Sequence, residues 1–182
     1  MSTASEPCTD EQLYTRWRGG DARAFEELFD RHRGGVYAFV LHALGDRSQA
    51  DDLFQEVFFK VVRARSSYRP ERGRFKLWLY TVARHALVDH WRRAGARGVA
   101  VPFDEEAPAD GAEAEPQGAH RSDPHRALER GEVRGRIVAA LAELPVEQRE
   151  VFLLRERAGL SFEEVATAVG CPVPTAKSRM RY

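Results

Sequence analysis

A chain of 182 residues, 43% hydrophobic and 31% charged, can bury one core or two small ones. It has no apolar run of about 18 residues, and its opening MSTASEPCTDEQ lacks the basic flank and apolar centre of a secretory signal, so membrane insertion is not expected and the cytoplasm is the expected compartment. With 28 Lys and Arg against 28 Asp and Glu the formal net charge is zero, which as an average argues against nucleic acid, and Cys8 and Cys171 have no metal-ligand spacing and read as free thiols.

The first elements read as helices. Asp21 is placed to cap one that reaches about His32, with Ala24, Phe25, Leu28 and Phe29 as its apolar stripe, and Gly34-Gly35 is expected to break it. Val36 to Leu44 forms a second, closed by Gly45 in the C-cap position. Ser48 with Asp51 resembles a capping box and opens a third, SQADDLFQEVFFKVVRAR, whose core stripe is Leu53, Phe54, Val57, Phe58 and Val61.

SSYRPERGR is then a basic loop with Pro70 and Gly73 as breakers. It leads into FKLWLYTVARHALVDHWRRA, Phe75 to Ala94, which reads as one helix. Phe75, Leu79, Val82, Ala83 and Ala86 recur at helical spacing and form a core face. Trp78, Thr81, His85, Asp89 and Arg92 lie on a second line roughly 120° away, a mixed aromatic and polar stripe that burial alone does not require. Tyr80 and Trp91, on a different side, read as packing residues.

The zero net charge hides an asymmetry along the chain. From Lys60 to Arg97, eleven Lys or Arg stand against Glu71 and Asp89; from Gly98 to Pro124, Asp104, Glu105, Glu106, Asp110, Glu113, Glu115 and Asp123 stand against Arg121. The acidic block is rich in Ala, Pro, Gly and Glu with almost no large apolar residue, and it reads as a flexible linker over residues 98–124. It separates a domain over 11–97 from one over 125–182.

In the second domain, Pro124 to Leu144 reads as a helix with Leu128, Val133, Ile137, Val138, Leu141 and Leu144 as apolar positions, and Pro145 ends it and can start the next, VEQREVFLLRERAG. LSFEEVATAVGCPVPTAKSRMRY then has the shape of a helix-turn-helix. Ser161 and Glu164 make a capping box, Val165, Ala166 and Val169 pack inward, and Gly170 supplies the turn. The last helix is expected to begin near Pro172 or Val173 and carries Thr175, Lys177, Ser178, Arg179 and Arg181, basic and without acid, as suits a major-groove reader.

DLFQEVFFKV, FKLWLYTVARHALVDHWRR and LPVEQREVFLLRERAGLSFEEVATAVGCPVPTAKSR, in this order and with this gap, resemble the two domains of the extracytoplasmic-function (ECF) class of bacterial sigma factors. The resemblance covers about residues 11 to 182 apart from the linker. It implies an all-α protein of two small domains that binds core RNA polymerase and promoter DNA, with no catalytic residue, metal or cofactor, and with an anti-sigma factor as a further partner. The polymerase-docking surface would be the polar side of the third helix, Asp51, Asp52, Gln55 and Glu56, which lies opposite the core stripe and offers acceptors to a basic partner helix.

Melting a promoter needs aromatic faces for stacking and cations for the backbone. Tyr68, Arg69, Arg72 and Arg74 fall where the family's base-capturing loop lies. Trp78, Thr81, His85 and Asp89 fall on the face resembling its strand-reading helix, and Lys76, Arg84, Arg92 and Arg93 would follow the phosphates. Thr175, Lys177, Ser178, Arg179 and Arg181 would meet the minus-thirty-five duplex.

Three features depart from the family pattern. Position 85 is His where relatives often have Asn, and Pro172 and Pro174-Thr175-Ala176 replace the usual small cap and Gly-Thr-Val. The chain also ends at Tyr182, before the further turns of the family's last helix, which reads as a truncated second domain. The alternative reading is a stand-alone helix-turn-helix regulator, which would have no use for the first two blocks. A metal cluster of His85, Asp89 and His90 is disfavoured because His90 lies on another side of the helix.

Overall fold

The structure, a computed structural model, describes residues 8–94 and 135–181. The expected linker, the start of the second domain through residue 134, and Tyr182 lie outside the described residues. The described residues form eight helices and no strand: α1 (Asp10–Arg18), α2 (Ala22–Leu44), α3 (Arg47–Arg63), α4 (Phe75–Arg93), α5 over 135–143, α6 (Val146–Phe152), α7 (Phe162–Val169) and α8 (Val173–Arg179). The described residues are all-α, as the sequence pattern implied.

Helix α1 was not expected from the sequence. Thr9 and Gln12 form a reciprocal capping box, and Leu13, Tyr14 and Trp17 bury one face against the helices that follow. Its signal was present in Thr9-Asp10-Glu11-Gln12, but the stripe is only three residues long.

Two boundaries differ from expectation. Helix α2 runs unbroken through Gly34-Gly35. Two glycines in a helix interior cost roughly 1 kcal/mol each against alanine, and tertiary packing outweighs this: Val36, Phe39 and Val40 are fully buried, and a Cβ at Gly35 would lie 2.7 Å from the Tyr80 hydroxyl. Gly35 is what allows α4 to approach so closely. Helix α3 is capped by Asp46, whose carboxylate accepts from the Gln49 N–H at 2.7 Å, and not by Ser48. The chain turns at Gly45 and re-enters helix at once, so the nearer acceptor takes the cap.

The expected core stripes hold. Leu53, Val57 and Val61 are buried in α3 with Phe54 and Phe58 packed beside them, and Phe75, Leu79, Ala83 and Ala86 are buried in α4 together with Tyr80 and Trp91. The Ser161–Glu164 capping box forms at the start of α7, Gly170 is left-handed at φ 71°, and α8 starts at Val173. Between α6 and α7 the chain widens into a π turn (Leu153–Arg157), with the Ala158 N–H donating to the Leu153 carbonyl at 3.0 Å.

The two halves pack directly on one another. The π turn lies against α2 and α7 lies against α4, so one apolar core runs from Leu13 to Ala176. Gly45 sits at this seam with φ 75°, and a Cβ there would lie 2.6 Å from Val138 Cγ1. Gly45→Ala is therefore expected to lower stability by about 1–2 kcal/mol through left-handed strain alone, and by more through the clash with Val138. A urea titration of the purified chain checks it; an unchanged midpoint would mean that neither the left-handed turn nor the seam resists a side chain at this position.

Candidate nucleic-acid interface

The loop after α3 folds around a cluster of rings. Tyr68 is buried, 2% exposed, with Tyr14 edge-on at 4.6 Å and Phe75 and Trp78 each at 5.6 Å. Its hydroxyl donates to the Gly73 carbonyl at 2.9 Å, and burial, followed by the nearby Glu11 charge, pushes its pKa up to about 12. The expectation that this ring stands free for a base does not match the geometry. The reason is α1, which supplies the apolar wall that Tyr68 covers. Trp78 is half-buried: its indole N–H reaches Ser67 Oγ at 3.3 Å.

Arg69 and Arg72 project from a short 3-10 turn (Pro70–Arg72) and are exposed; Arg69 donates to the carbonyls of Ser66 and Tyr68, and Arg72 has no partner among the described residues. On α4, His85, Asp89, Arg92 and Arg93 are exposed, while Lys76, Thr81 and Arg84 are half-buried. Thr81 donates to the Leu77 carbonyl at 2.8 Å, and Arg93 reaches Glu56 at 2.9 Å.

Two of the expected DNA-contacting arginines, Arg74 of the base-capturing loop and the phosphate follower Arg84, are already engaged by carboxylates of the second half. Arg74 donates to both oxygens of Glu164 at 2.7 Å, and Arg84 donates twice to Glu150 Oε2, at 2.9 and 3.1 Å. The second pair is well shielded, with side-chain exposures of 17% and 6%. Burial is the largest influence on the Glu164 pKa and works to raise it, but the Arg74 hydrogen bond, the Ser161 backbone N–H and the Arg74 and Lys76 charges together hold the carboxyl below its usual value. Arg149, the buried chain neighbour of Glu150, lies over the Trp91 ring at 5.3 Å and donates to the carbonyls of Ala142 and Leu144, its pKa lowered by burial. No local pattern signals these contacts, because Glu150 looks like an ordinary helix-surface acid and Glu164 like a cap residue only.

Asp89 is held by Lys60 at 3.3 Å and Arg92 at 3.9 Å, not by His85. The His85 pKa is lowered, first by burial and then by the Arg84 charge, against the opposing pull of Asp89; that of His90, which faces Gln49 Oε1 at 3.1 Å, is lowered by burial and then by Arg93. In the chain without DNA, His85 therefore takes up a proton less readily than an ordinary imidazole. Because both folded-state values lie below the unfolded value of about 6.5, the unfolded chain takes up protons first, and the stability present above that value is lost as pH falls through the folded ones. The urea midpoint is expected to fall between pH 7.5 and pH 5.5, less so in His90→Asn. A flat profile in the wild-type chain would contradict this.

The outer face of α3 carries Asp52, Gln55, Phe59 and Val62 at helical spacing, all exposed, the last two at 64% and 44%. Asp52 and Gln55 have no partner among the described residues. Of the other two expected docking residues, Asp51 accepts from the Tyr37 hydroxyl at 2.8 Å, and Glu56 is tied to Lys60 and Arg93, so part of the acidic face is already engaged within the chain. Phe59 and Val62 escaped the sequence reading because they fall outside the core stripe.

In the second half, α7 and α8 form the helix-turn-helix. On α8, Lys177 and Ser178 are exposed and Thr175 and Arg179 half-buried; Arg181, just beyond its end, is exposed. Lys177 Nζ stands 5.8 Å from the Phe162 ring centre, and Ser178 donates to the Thr175 carbonyl at 3.0 Å. Among the described residues no group of three or more His, Cys, Asp or Glu could hold a metal ion, and no helix is long and apolar enough to cross a membrane.

A helical unit with a basic loop and aromatic-basic helix, followed by a helix-turn-helix unit, defines a DNA-binding transcription protein. Family models bear this out: Sigma-70 region 2 matches residues 28–97, and Sigma-70, region 4 matches residues 134–181. The chain is similar to the RNA polymerase sigma-H factor of Pseudomonas aeruginosa, 33% identical over 175 residues that cover 94% of this chain and 88% of that protein. It is also similar to the ECF RNA polymerase sigma-E factor of Haemophilus influenzae, 32% identical over 179 residues, 97% of this chain and 92% of that one. Two solved structures share the fold at 22% identity: CnrH in complex with the cytosolic domain of CnrY, with a TM-score of 0.68 over 94% of this chain and 90% of that one, and RpoE of Bartonella quintana in complex with the anti-sigma factor NepR, with a TM-score of 0.63 over 88% and 91%.

The chain belongs to the ECF class of sigma-70-type sigma factors. It is an alternative sigma factor, a non-enzymatic subunit that directs RNA polymerase in promoter recognition and transcription initiation.

Proposed function

We propose that the sigma factor divides its work between a polymerase-binding and minus-ten-melting domain over 11–97 and a minus-thirty-five-binding domain over 125–182, joined by the acidic linker over 98–124. The observation that carries this is a pair of differently composed surfaces on the first domain: the exposed acidic, amide and apolar line of Asp52, Gln55, Phe59 and Val62 on α3 suits a partner protein, while the aromatic and basic Arg69, Arg72, Trp78, His85 and Arg92 of the loop and α4 suit a strand. Docking on core polymerase uses the acidic and amide residues for orientation and the two apolar side chains for burial, with Asp51 and Glu56 at the rim.

In the melted promoter, Trp78 stacks on a base, Tyr68 backs it from the core, and His85 meets a base edge as a neutral ring with one donor and one acceptor. Thr81 and Asp89 flank that reader. Arg69, Arg72, Arg74, Lys76, Arg84, Arg92 and Arg93 follow the phosphates, once Arg74 and Arg84 are released from Glu164 and Glu150. Thr175, Lys177, Ser178, Arg179 and Arg181 contact the minus-thirty-five duplex. The partners are core RNA polymerase and promoter DNA in the cytoplasm, with an anti-sigma factor as a further one, as for RpoE of B. quintana.

Transcription in vitro with core polymerase and genomic DNA fragments tests this reading and yields the promoters. Asp52→Lys/Phe59→Glu is expected to weaken binding to core polymerase by at least tenfold, as befits loss of an apolar anchor and a charge, with helicity unchanged. Undiminished binding by this variant would move the docking surface elsewhere.

A further inference from the structure

Helix α4 has no side-chain cap of its own: its N-cap residue is Arg74, which makes no capping bond. The Phe75 N–H, one of the four that a helix start leaves unpaired, instead donates to Glu11 Oε1 at 3.0 Å. Glu11 belongs to α1, 64 residues earlier in the chain. One turn further along the same helix face, the Tyr14 hydroxyl donates to the Arg65 carbonyl, with the Tyr68 carbonyl 3.5 Å away. The Tyr14 ring is 1% exposed and meets Tyr68, Phe75 and Trp78 at 4.6, 5.9 and 6.3 Å.

The basic loop is thus held at both ends by one short helix. Tyr14 fixes where it leaves α3, and Glu11 fixes where it joins α4. Between these points Arg69, Pro70, Glu71 and Arg72 are exposed. Helix α1 is itself fastened to α2, since Asp10 bonds Arg31 at 3.0 Å and His32 at 2.7 Å. A loop clamped at its two ends on a rigid support presents its middle in one arrangement, and prior ordering removes the entropy that capturing an unpaired base would otherwise cost.

We infer that Glu11 and Tyr14 are positioning residues for promoter opening: α1, which lies before the residues matched by the region 2 family model, holds the strand-capturing loop and the start of α4 in their working geometry. This rests on the proposed role of the loop in capturing the melted strand. Neither residue touches DNA. Their effect runs through the shape of 65–75, so they act on opening and not on docking, whose surface lies on the outer face of α3.

The test uses the full chain with core polymerase on a duplex promoter recovered by the transcription assay above, carrying 2-aminopurine at successive minus-ten positions. Tyr14→Phe keeps the buried ring and removes the donor; Glu11→Ala removes the acceptor, and Glu11→Gln keeps an acceptor without charge. Expected for Tyr14→Phe/Glu11→Ala is open-complex formation slowed about tenfold, the scale of one or two lost hydrogen bonds, with a weaker 2-aminopurine signal at the captured base and core-polymerase affinity within about twofold of wild type. Glu11→Gln, alone, is expected to open promoters at nearly the wild-type rate. Wild-type opening by the double variant would overturn the inference, and so would equal impairment of Glu11→Gln and Glu11→Ala, which would point to charge instead of loop geometry. Arg69→Ala/Arg72→Ala separates the underlying reading: if that variant also opens promoters normally, the loop does not capture the strand and the positioning role falls with it, whereas its failure beside an unimpaired Tyr14→Phe/Glu11→Ala overturns the positioning role alone.

Discussion

Replacing Glu150 and Glu164 by Gln is expected to part the two halves of the free sigma factor and to tighten its hold on a single-stranded minus-ten oligonucleotide by about tenfold. These carboxylates occupy Arg84 and Arg74, two of the cations proposed to follow the phosphates, and on that proposal DNA must displace them. The two pairs differ in worth. Arg74 is 62% exposed, so its pair with Glu164 is screened by salt and contributes little, whereas Arg84–Glu150 is shielded and leaving one member alone there costs several kcal/mol in general. Glu164→Gln keeps a side-chain acceptor at the N3 position of the capping box, so α7 stays capped while the charge is lost. The two cysteines fall one in each half, Cys8 before α1 and Cys171 in the turn before α8, and take a donor and an acceptor dye without new substitutions. Energy transfer should drop in the double variant. Unchanged transfer together with unchanged oligonucleotide affinity would show that apolar packing of the π turn on α2 suffices to keep the halves closed.

Trp78→Ala is expected to slow promoter opening by roughly tenfold to a hundredfold, since stacking of one base on an aromatic ring is worth about 1–3 kcal/mol. One side of the indole rests against Tyr14, Tyr68 and Phe75, and Ser67 holds its N–H, which leaves the ring braced and partly open. The same substitution removes packing, but less than a fully buried tryptophan would, because Trp78 is only half-buried. Trp78→Phe separates the two effects by keeping a stacking face. Opening by Trp78→Phe close to wild type, beside a large defect in Trp78→Ala, is the result expected of a base-stacking residue; equal defects in both, matched by equal losses of thermal stability, would make it a packing residue only.

The helical pattern was legible because helix periodicity is local. Leu53, Val57 and Val61, or Phe75, Leu79, Ala83 and Ala86, repeat at a spacing that only a helix brings to one side, and each was found buried. Local signals also gave the Ser161–Glu164 box and the turn at Gly170. They failed where a distant neighbour overrode them. Gly34-Gly35 reads as a break until Tyr80 arrives against it, and Tyr68 reads as an exposed loop ring until α1 supplies a wall.

Order and spacing of three sequence blocks were enough to identify the family, since the residues that form the apolar core and the helix-turn-helix are fixed by short-range pattern. Which charges are free was beyond the sequence. An acid on a helix surface looks the same whether it faces water or a guanidinium from the other end of the chain, and only the tertiary structure pairs Glu150 with Arg84, Glu164 with Arg74 and Glu11 with the Phe75 amide. Those pairings join residues 64 to 90 positions apart. They depend on how whole helices pack, and no local periodicity encodes that.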